Sequence, residues 1–381
     1  MIFNKRKLIC YGNPNDINTA SGTPYYILKY GKKIGLINNA IDLNFSQKKA
    51  TKYLWNIIQF LKTGKYGGYQ YSLQSLKKLQ RIIFADYSDS ENKYILSHHP
   101  SIPLYPWPKN TFVDFYIDAT NLQIFNNYGY GSKIDEKFKL EVINRERAAY
   151  QAAGSIICMC QWAADSVIKD YGINSKKVHV VVGGANLDEE FLDNKNNLLC
   201  PKQPSDAVPL FIGFLGKDWQ RKGGEFAFEV VKNLNSCGIW SVLRVIGTRK
   251  KDISNSRFIE YLGYIDKKKE LNKFVKELNS WHFCSLFSEQ EASPRSNMES
   301  IRLGVPIISH NIGGISSTLI DNSYSKLFKP FPTVEEVTDW IISEIRPYKK
   351  YCQKRLLSTQ VSNTTTWENE LLKIKKIILN T

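Results

Sequence analysis

The chain has 381 residues, 43% of them hydrophobic, which excludes a disordered polymer and suits two domains of ordinary size. Its 52 Lys and Arg against 36 Asp and Glu leave a net charge of +16, but the cations lie scattered in pairs such as Lys32-Lys33 and Lys349-Lys350, forming no nucleic-acid-binding module. No apolar run approaches the roughly 18 residues of a membrane span, and the N-terminus lacks a signal-peptide apolar region, so action in the cytoplasm is expected.

The first predicted strand is Lys7-Leu-Ile-Cys-Tyr-Gly12. Its loop runs to Thr23-Pro24, read as a helix cap followed by a proline suited to the first turn. Residues 46–82 interleave lysines, among them Lys48, Lys52 and Lys62, with Tyr53, Leu54, Trp55 and Phe60. Such a basic, aromatic, amphipathic stretch lies either on an anionic membrane surface or against the core with a solvated basic side. Residues 185–209 read as a linker, with the boundary near 200. Alternating apolar strands and amphipathic helices mark an α/β protein with parallel sheets. In the second half the strands are placed at 208–215, 240–247 and 306–309, and the helices at 223–236, 266–279 and 294–303. The tail from Thr366 is an amphipathic helix.

Two stretches carry anion-binding chemistry. Phe211-Ile-Gly-Phe-Leu-Gly-Lys-Asp-Trp-Gln-Arg-Lys-Gly-Gly224 is an apolar strand, a basic glycine-rich turn and a helix start. Further on, Glu291-Ala-Ser-Pro-Arg-Ser-Asn-Met-Glu299 sets one carboxylate before a helix and one inside it. Ser293 is read as the cap and Pro294 as the first helical residue, so the N–H groups at that end favour a phosphate between the glutamates. Gly304 suits the left-handed residue after this helix, and Val-Pro-Ile-Ile-Ser309 leads into a buried strand. The seven cysteines contain no Cys-x-x-Cys and read as buried free thiols. No His/Cys/Asp/Glu cluster has zinc-ligand spacing, and no Asp-x-Asp occurs.

On these motifs the chain resembles the retaining glycosyltransferases of family 4. The Glu-x7-Glu pair matches Glu291 and Glu299. The basic turn matches Gly216-Lys217 and Arg221-Lys222-Gly223-Gly224, with Gln220 in place of a glutamate. Ser21-Gly-Thr-Pro-Tyr25 and the run from Arg147 through Trp162 to Asn186 match in the same order. The resemblance implies α/β GT-B architecture: two Rossmann-like, doubly wound parallel-sheet domains facing a cleft, with a C-terminal helix crossing back. It places an acceptor-binding domain at 1–199, a donor-binding domain at 200–355 and the returning helix at 356–381.

The activity implied is transfer of a hexose-type sugar from a nucleoside-diphosphate sugar, UDP or GDP type, to a hydroxyl of a glycan or lipid-linked acceptor. Anomeric configuration is retained, and neither metal nor other cofactor is required. Lys217, Arg221 and Lys222 would stabilise the leaving diphosphate, helped by backbone N–H groups near Gly22 and at the Pro294 helix start. Glu299 would hold the ribose hydroxyls and Glu291 the sugar hydroxyls, with Gly216, Ser296 and Asn297 also on the donor side. Thr23, Tyr25, His98 and His99 fall on the acceptor side, although a histidine pair in a loop is also explained as merely exposed. Asp118 stands where many family members have a histidine; it either acts on the sugar or is a buried aspartate capping a turn. His310 borders the donor pocket or ends its strand, and Trp219 packs at the turn or in the core. The partners expected are a nucleotide sugar, a glycan acceptor and the inner face of an anionic membrane, with no nucleic acid. The competing readings are a GT-B sugar-nucleotide epimerase and a non-catalytic basic protein that binds nucleic acid or membrane.

Overall fold

The computed structural model describes residues 4–43, 49–85, 87, 91–189, 200–319, 324–362 and 364–380. The chain divides into two compact units, residues 1–183 with 367–381, and residues 184–366.

The first unit is built on a six-stranded parallel sheet in the order β2-β1-β3-β4-β5-β6. The strands are β1 (Arg6–Ile9), β2 (Ile37–Ile41), β3 (Lys93–Ser97), β4 (Thr111–Ile117), β5 (Ile156–Cys158) and β6 (Val178–Val180). Its helices are α1 (Thr23–Lys33), α2 (Lys49–Thr63), α3 (Leu73–Ala85), α4 (Asn121–Asn127), α5 (Glu136–Ala152) and α6 (Gln161–Lys169). The central strands are apolar on both faces because each face carries a core. Ile95, Phe115 and Ile156 point to one cluster, and their chain neighbours Leu96, Tyr116 and Ile157 to the other.

The C-terminal helix belongs to this unit. Trp367 is fully buried beside Tyr26 and Tyr116, Leu371 and Ile374 extend the same cluster, and the Lys375 ammonium donates to the Ile34 carbonyl at 2.7 Å. Gly183, at φ +84°, lets the chain pass this helix, since a Cβ there would lie 2.8 Å from both the Trp367 ring and the Tyr116 hydroxyl.

The second unit repeats the design with β7 (Leu210–Leu215), β8 (Ser241–Ile246), β9 (Ile259–Gly263), β10 (Phe283–Leu286), β11 (Ile307–His310) and β12 (Lys326–Phe328). The order is β12-β11-β10-β7-β8-β9, all parallel. Its helices are α7 (Gly224–Ser236), α8 (Lys267–Asn279), α9 (Arg295–Arg302), α10 (Val334–Ile345) and α11 (Tyr348–Ser362); α12 (Trp367–Leu379) then returns to the first unit. Counted within the unit, this is the 3-2-1-4-5-6 order of a doubly wound sheet, whose direction of winding reverses between β7 and β10. Ligands bind such sheets beyond the carboxyl ends of the strands at that reversal.

Element positions in the second half agree with the sequence reading to within one or two residues. The chain leaves the first unit at Gly183, ahead of the boundary read near 200, and re-enters it at Trp367 after α11 is complete. Residues 190–199 of the expected linker lie outside the described residues.

Three local expectations are corrected. Pro294 is itself the N-cap of α9 and makes no side-chain cap bond, while the Ser293 hydroxyl accepts from the Arg295 guanidinium. Likewise Gly22 caps α1 with φ +89°, leaving Thr23 inside the helix. The cysteines are not all free: Cys200 and Cys352 form a disulfide across 152 residues, and Cys237 is exposed, whereas Cys10, Cys158, Cys160 and Cys284 are buried thiols. Spacing gave no sign of that pair, because only folding brings residue 200 against α11.

Candidate functional site

The turn after β7 is shaped by one buried indole. Trp219 packs on Phe214 at 5.0 Å between ring centroids, and its Nε1 donates to Glu225 at 3.3 Å, so it belongs to the core beneath the turn. Gly224 closes on that ring, where a Cβ would approach to 2.3 Å. Gly223, at φ +73°, would place a Cβ 2.3 Å from the Phe287 carbonyl oxygen. The Gly-Gly pair thus lets α7 start directly against the chain leaving β10, turning Arg221 and Lys222 toward the reversal point.

There the two cations meet Glu291. Arg221 Nη1 donates to Glu291 Oε2 at 3.1 Å, Lys222 Nζ at 3.4 Å and Ser288 Oγ at 3.2 Å. Arg221 also donates to the Gln290 carbonyl at 2.6 Å, and the Glu289 N–H returns a bond to the Arg221 carbonyl at 2.9 Å. Arg221 Nε also lies 3.5 Å from the Asp218 carboxylate, so it is the exposed Lys217 at the same turn that leaves three cations against two carboxylates, a setting that favours an anion. Lys217 is exposed at the same turn, 5.9 Å from the Tyr264 ring centre, and the Lys222 stem lies over Gly216, where a Cβ would come within 2.3 Å of its Cδ.

The Glu291 backbone is held from the other side. Gly314 N–H donates to its carbonyl at 2.9 Å, and Gly313, at φ +56°, passes so close that a Cβ would fall 2.1 Å from that oxygen. His310, the last residue of β11, is buried. Its Nδ1 accepts from the Phe331 N–H, which leaves Nε2 to donate to the Ser288 carbonyl at 2.9 Å. Burial lowers the pKa of this imidazole, in keeping with its neutral form. His310 therefore both ends its strand and positions the serine that bonds Glu291.

Along α9, Glu299 is almost wholly buried and accepts from Lys267 Nζ at 2.6 Å; the same ammonium donates to the Asn186 carbonyl at 3.2 Å. Asn297 donates to Thr318 Oγ1 at 3.0 Å. Ser296 Oγ and Asn297 Oδ1 are buried with no hydrogen-bond partner among the described residues, two polar atoms at the helix start with unused capacity. Arg295 is turned back onto the Gly184 carbonyl at 3.2 Å. Sequence reading missed Lys267, Ser288 and His310's hold on Ser288. Only Ser288, one residue beyond Phe287 at the end of an apolar strand, carried a positional signal.

In the first unit the named residues cluster at the carboxyl end of the sheet, where β1 and β3 flank its own winding reversal. Beyond β1, Ala20 and Ser21 take φ of +44° and +59° ahead of Gly22. A non-glycine residue in that region costs about 1–3 kcal/mol, a strain that gathers at functional sites. Thr23 is buried and Tyr25 half-buried, set edge-on to Tyr26. His98 and His99 follow β3 and are half-buried rather than exposed. His98 Nδ1 contacts the Tyr116 carbonyl at 2.6 Å, and His99 Nδ1 accepts from the Ser101 N–H at 3.1 Å. Burial, reinforced by His98, lowers the His99 pKa to about 4, so it is neutral near pH 7. Asp118 follows β4 and is exposed, which removes the reading of a buried turn cap.

No family model and no curated protein matches the chain. Solved structures do. A sucrose-phosphate synthase from Thermosynechococcus elongatus is similar with a TM-score of 0.65 at 12% identity over 99% of each chain. WaaG, a glycosyltransferase involved in lipopolysaccharide biosynthesis, reaches 0.63 at 11% identity over 98% of this chain and 100% of its own. HepE from Anabaena, in complex with UDP and glucose, reaches 0.60 at 12% identity over 98% of each. Likeness at such low identity establishes the fold: two six-stranded parallel sheets flanked by helices, the GT-B architecture of these glycosyltransferases.

Proposed function

We propose that the protein is a retaining glycosyltransferase that moves a hexose-type sugar from a nucleoside-diphosphate sugar to a hydroxyl of a glycan or lipid-linked acceptor. The observation that carries this reading is the convergence of Arg221 and Lys222 on Glu291 at the winding reversal of the second sheet. As the glycosidic bond breaks, negative charge grows on the diphosphate; Lys222, Arg221 and Lys217 would stabilise it there, the task otherwise given to a metal ion. A diphosphate entering this cluster competes with Glu291 for its cations and frees that carboxylate for sugar hydroxyls. Glu299 takes the ribose hydroxyls, and the unused oxygens of Ser296 and Asn297 add acceptors beside the α9 start. Asp118, His98 and His99 at the carboxyl end of the first sheet would meet the acceptor. Structural likeness to HepE, whose complex holds UDP and glucose, favours UDP as the carrier.

The test is a thermal-shift screen with UDP, GDP, ADP and CDP and their hexose conjugates in EDTA, since a ligand that binds the folded state raises its apparent stability by mass action. One nucleotide should stabilise the wild type without metal and fail on Glu299→Ala. A flat response across the panel would sink the donor-site assignment.

A further inference from the structure

α2 is built inside out. Helices on a globular protein turn their apolar face to the core, but here Trp55 faces the body, packing on Tyr69 and Phe138 at 5.8 and 5.6 Å, while the apolar majority faces solvent. Leu61 is 79% exposed and Tyr53 70%, and Leu54, Ile57, Ile58 and Phe60 are exposed with them. At about 100° per residue these six side chains fill one continuous arc of roughly 160°, and Lys52, Trp55 and Gln59 lie opposite. An uninterrupted apolar face of this size in water marks an interaction surface.

Charge identifies what covers it. Between Asp42 and Asp86 the sequence contains no acidic residue and eight Lys or Arg. On the helix itself Lys52 and Lys62 are exposed, Lys62 about 40° beyond one edge of the apolar arc and Lys52 about 80° beyond the other. A second copy docking here would bring two such acid-free segments face to face. An anionic bilayer instead offers hydrocarbon to the arc and phosphate headgroups to the lysines. With 15 residues α2 is too short to span a membrane, and no helix among the described residues is long and apolar enough to do so.

We propose that α2 docks the protein on an anionic lipid bilayer, lying in the interface plane with Tyr53, Leu54, Phe60 and Leu61 inserted among the acyl chains. This surface is independent of the sugar-transfer reading.

The experiment is co-sedimentation of the full chain with phosphatidylcholine vesicles, plain or carrying about one-third phosphatidylglycerol. The wild type should sediment with the anionic vesicles and be released by salt. Leu54→Gln combined with Leu61→Gln should weaken partitioning roughly tenfold or more, with an unchanged melting profile because both side chains are exposed. Lys52→Gln combined with Lys62→Gln should lose the preference for anionic vesicles. Absence of wild-type sedimentation, or sedimentation indifferent to the leucine substitutions, overturns the proposal. So does a dimer that the leucine substitutions dissolve while vesicle binding is absent, which would assign the face to a second copy.

Discussion

Lys267 Nζ lies 2.6 Å from Glu299 Oε1, so the carboxylate assigned to the ribose is pinned by a cation 32 residues upstream, at the start of a different helix. Glu299 is only 6% exposed, so Lys267 is the cation that offsets its removal from water. Lys267→Met should cost about 1–3 kcal/mol or more, the penalty of a buried acceptor left without its donor. Urea unfolding measures that cost, and nucleotide titration should show weaker binding in the same variant. Unaltered stability and affinity would mean the pair is incidental.

Gly216 is predicted to act through Lys222. A methyl group there displaces a flexible side chain rather than backbone, so Gly216→Ala should leave the melting temperature nearly unchanged yet lower turnover. Lys222→Ala should lower turnover by roughly 10²–10³, the usual effect of removing one preorganised charge-stabilising donor. Comparing kcat in the two variants is the check. Full activity in Lys222→Ala removes its leaving-group role.

The pH dependence of stability should have two opposed sources. His282 is fully buried: its Nδ1 accepts from the Phe211 N–H at 3.0 Å, and Nε2 donates to the Lys202 carbonyl at 3.0 Å. Burial, with Arg355 and Arg244 nearby, lowers its pKa to about 3. The folded ring stays neutral while the unfolded one protonates near pH 6.5, so stability falls as pH drops below 6.5, by up to about 1.4 kcal/mol per pH unit.

Glu146 behaves in the opposite sense. It is buried among Tyr150, Tyr171 and Asn121, and burial raises its pKa to about 7. Its stabilisation is complete below pH 4.5 and is lost as pH rises through 7. Denaturant titrations across this range should show a flatter acid limb in His282→Gln and a flatter rise-side loss in Glu146→Gln. Variants that merely offset the wild-type curve by a constant would refute the assignment.

The disulfide should matter thermodynamically. Its ring closes 152 residues, and the chain-entropy account gives about 5 kcal/mol for a loop of that size. Thermal melts with and without dithiothreitol should differ for the wild type and coincide for Cys200→Ser combined with Cys352→Ser. Equal wild-type melts would show that the bond contributes nothing in solution.

Much of the site was legible along the chain because its parts are local. The strand-turn-helix from Phe211 to Gly224 and the glutamates flanking the α9 start are continuous segments whose glycines, proline and apolar periodicity declare their own conformation. The partners were not legible. Lys267 reads as one cation in a basic helix start, and Ser288 and His310 as strand ends; their roles arise where β7, β10 and β11 finish side by side. The exposed face of α2 was equally hidden, since periodicity shows that a helix has an apolar side but not which way that side turns.

The sequence by itself determined the alternation of parallel strands and helices and the positions of the basic turn and the two glutamates, because hydrophobic period, glycine and proline act over a few residues. Tertiary structure alone decided which cation meets which carboxylate, that Cys200 meets Cys352, and that the chain switches units at Gly183 and Trp367. Those pairings join positions tens to hundreds of residues apart, where proximity comes from sheet order and core packing rather than from any local preference of the residues involved.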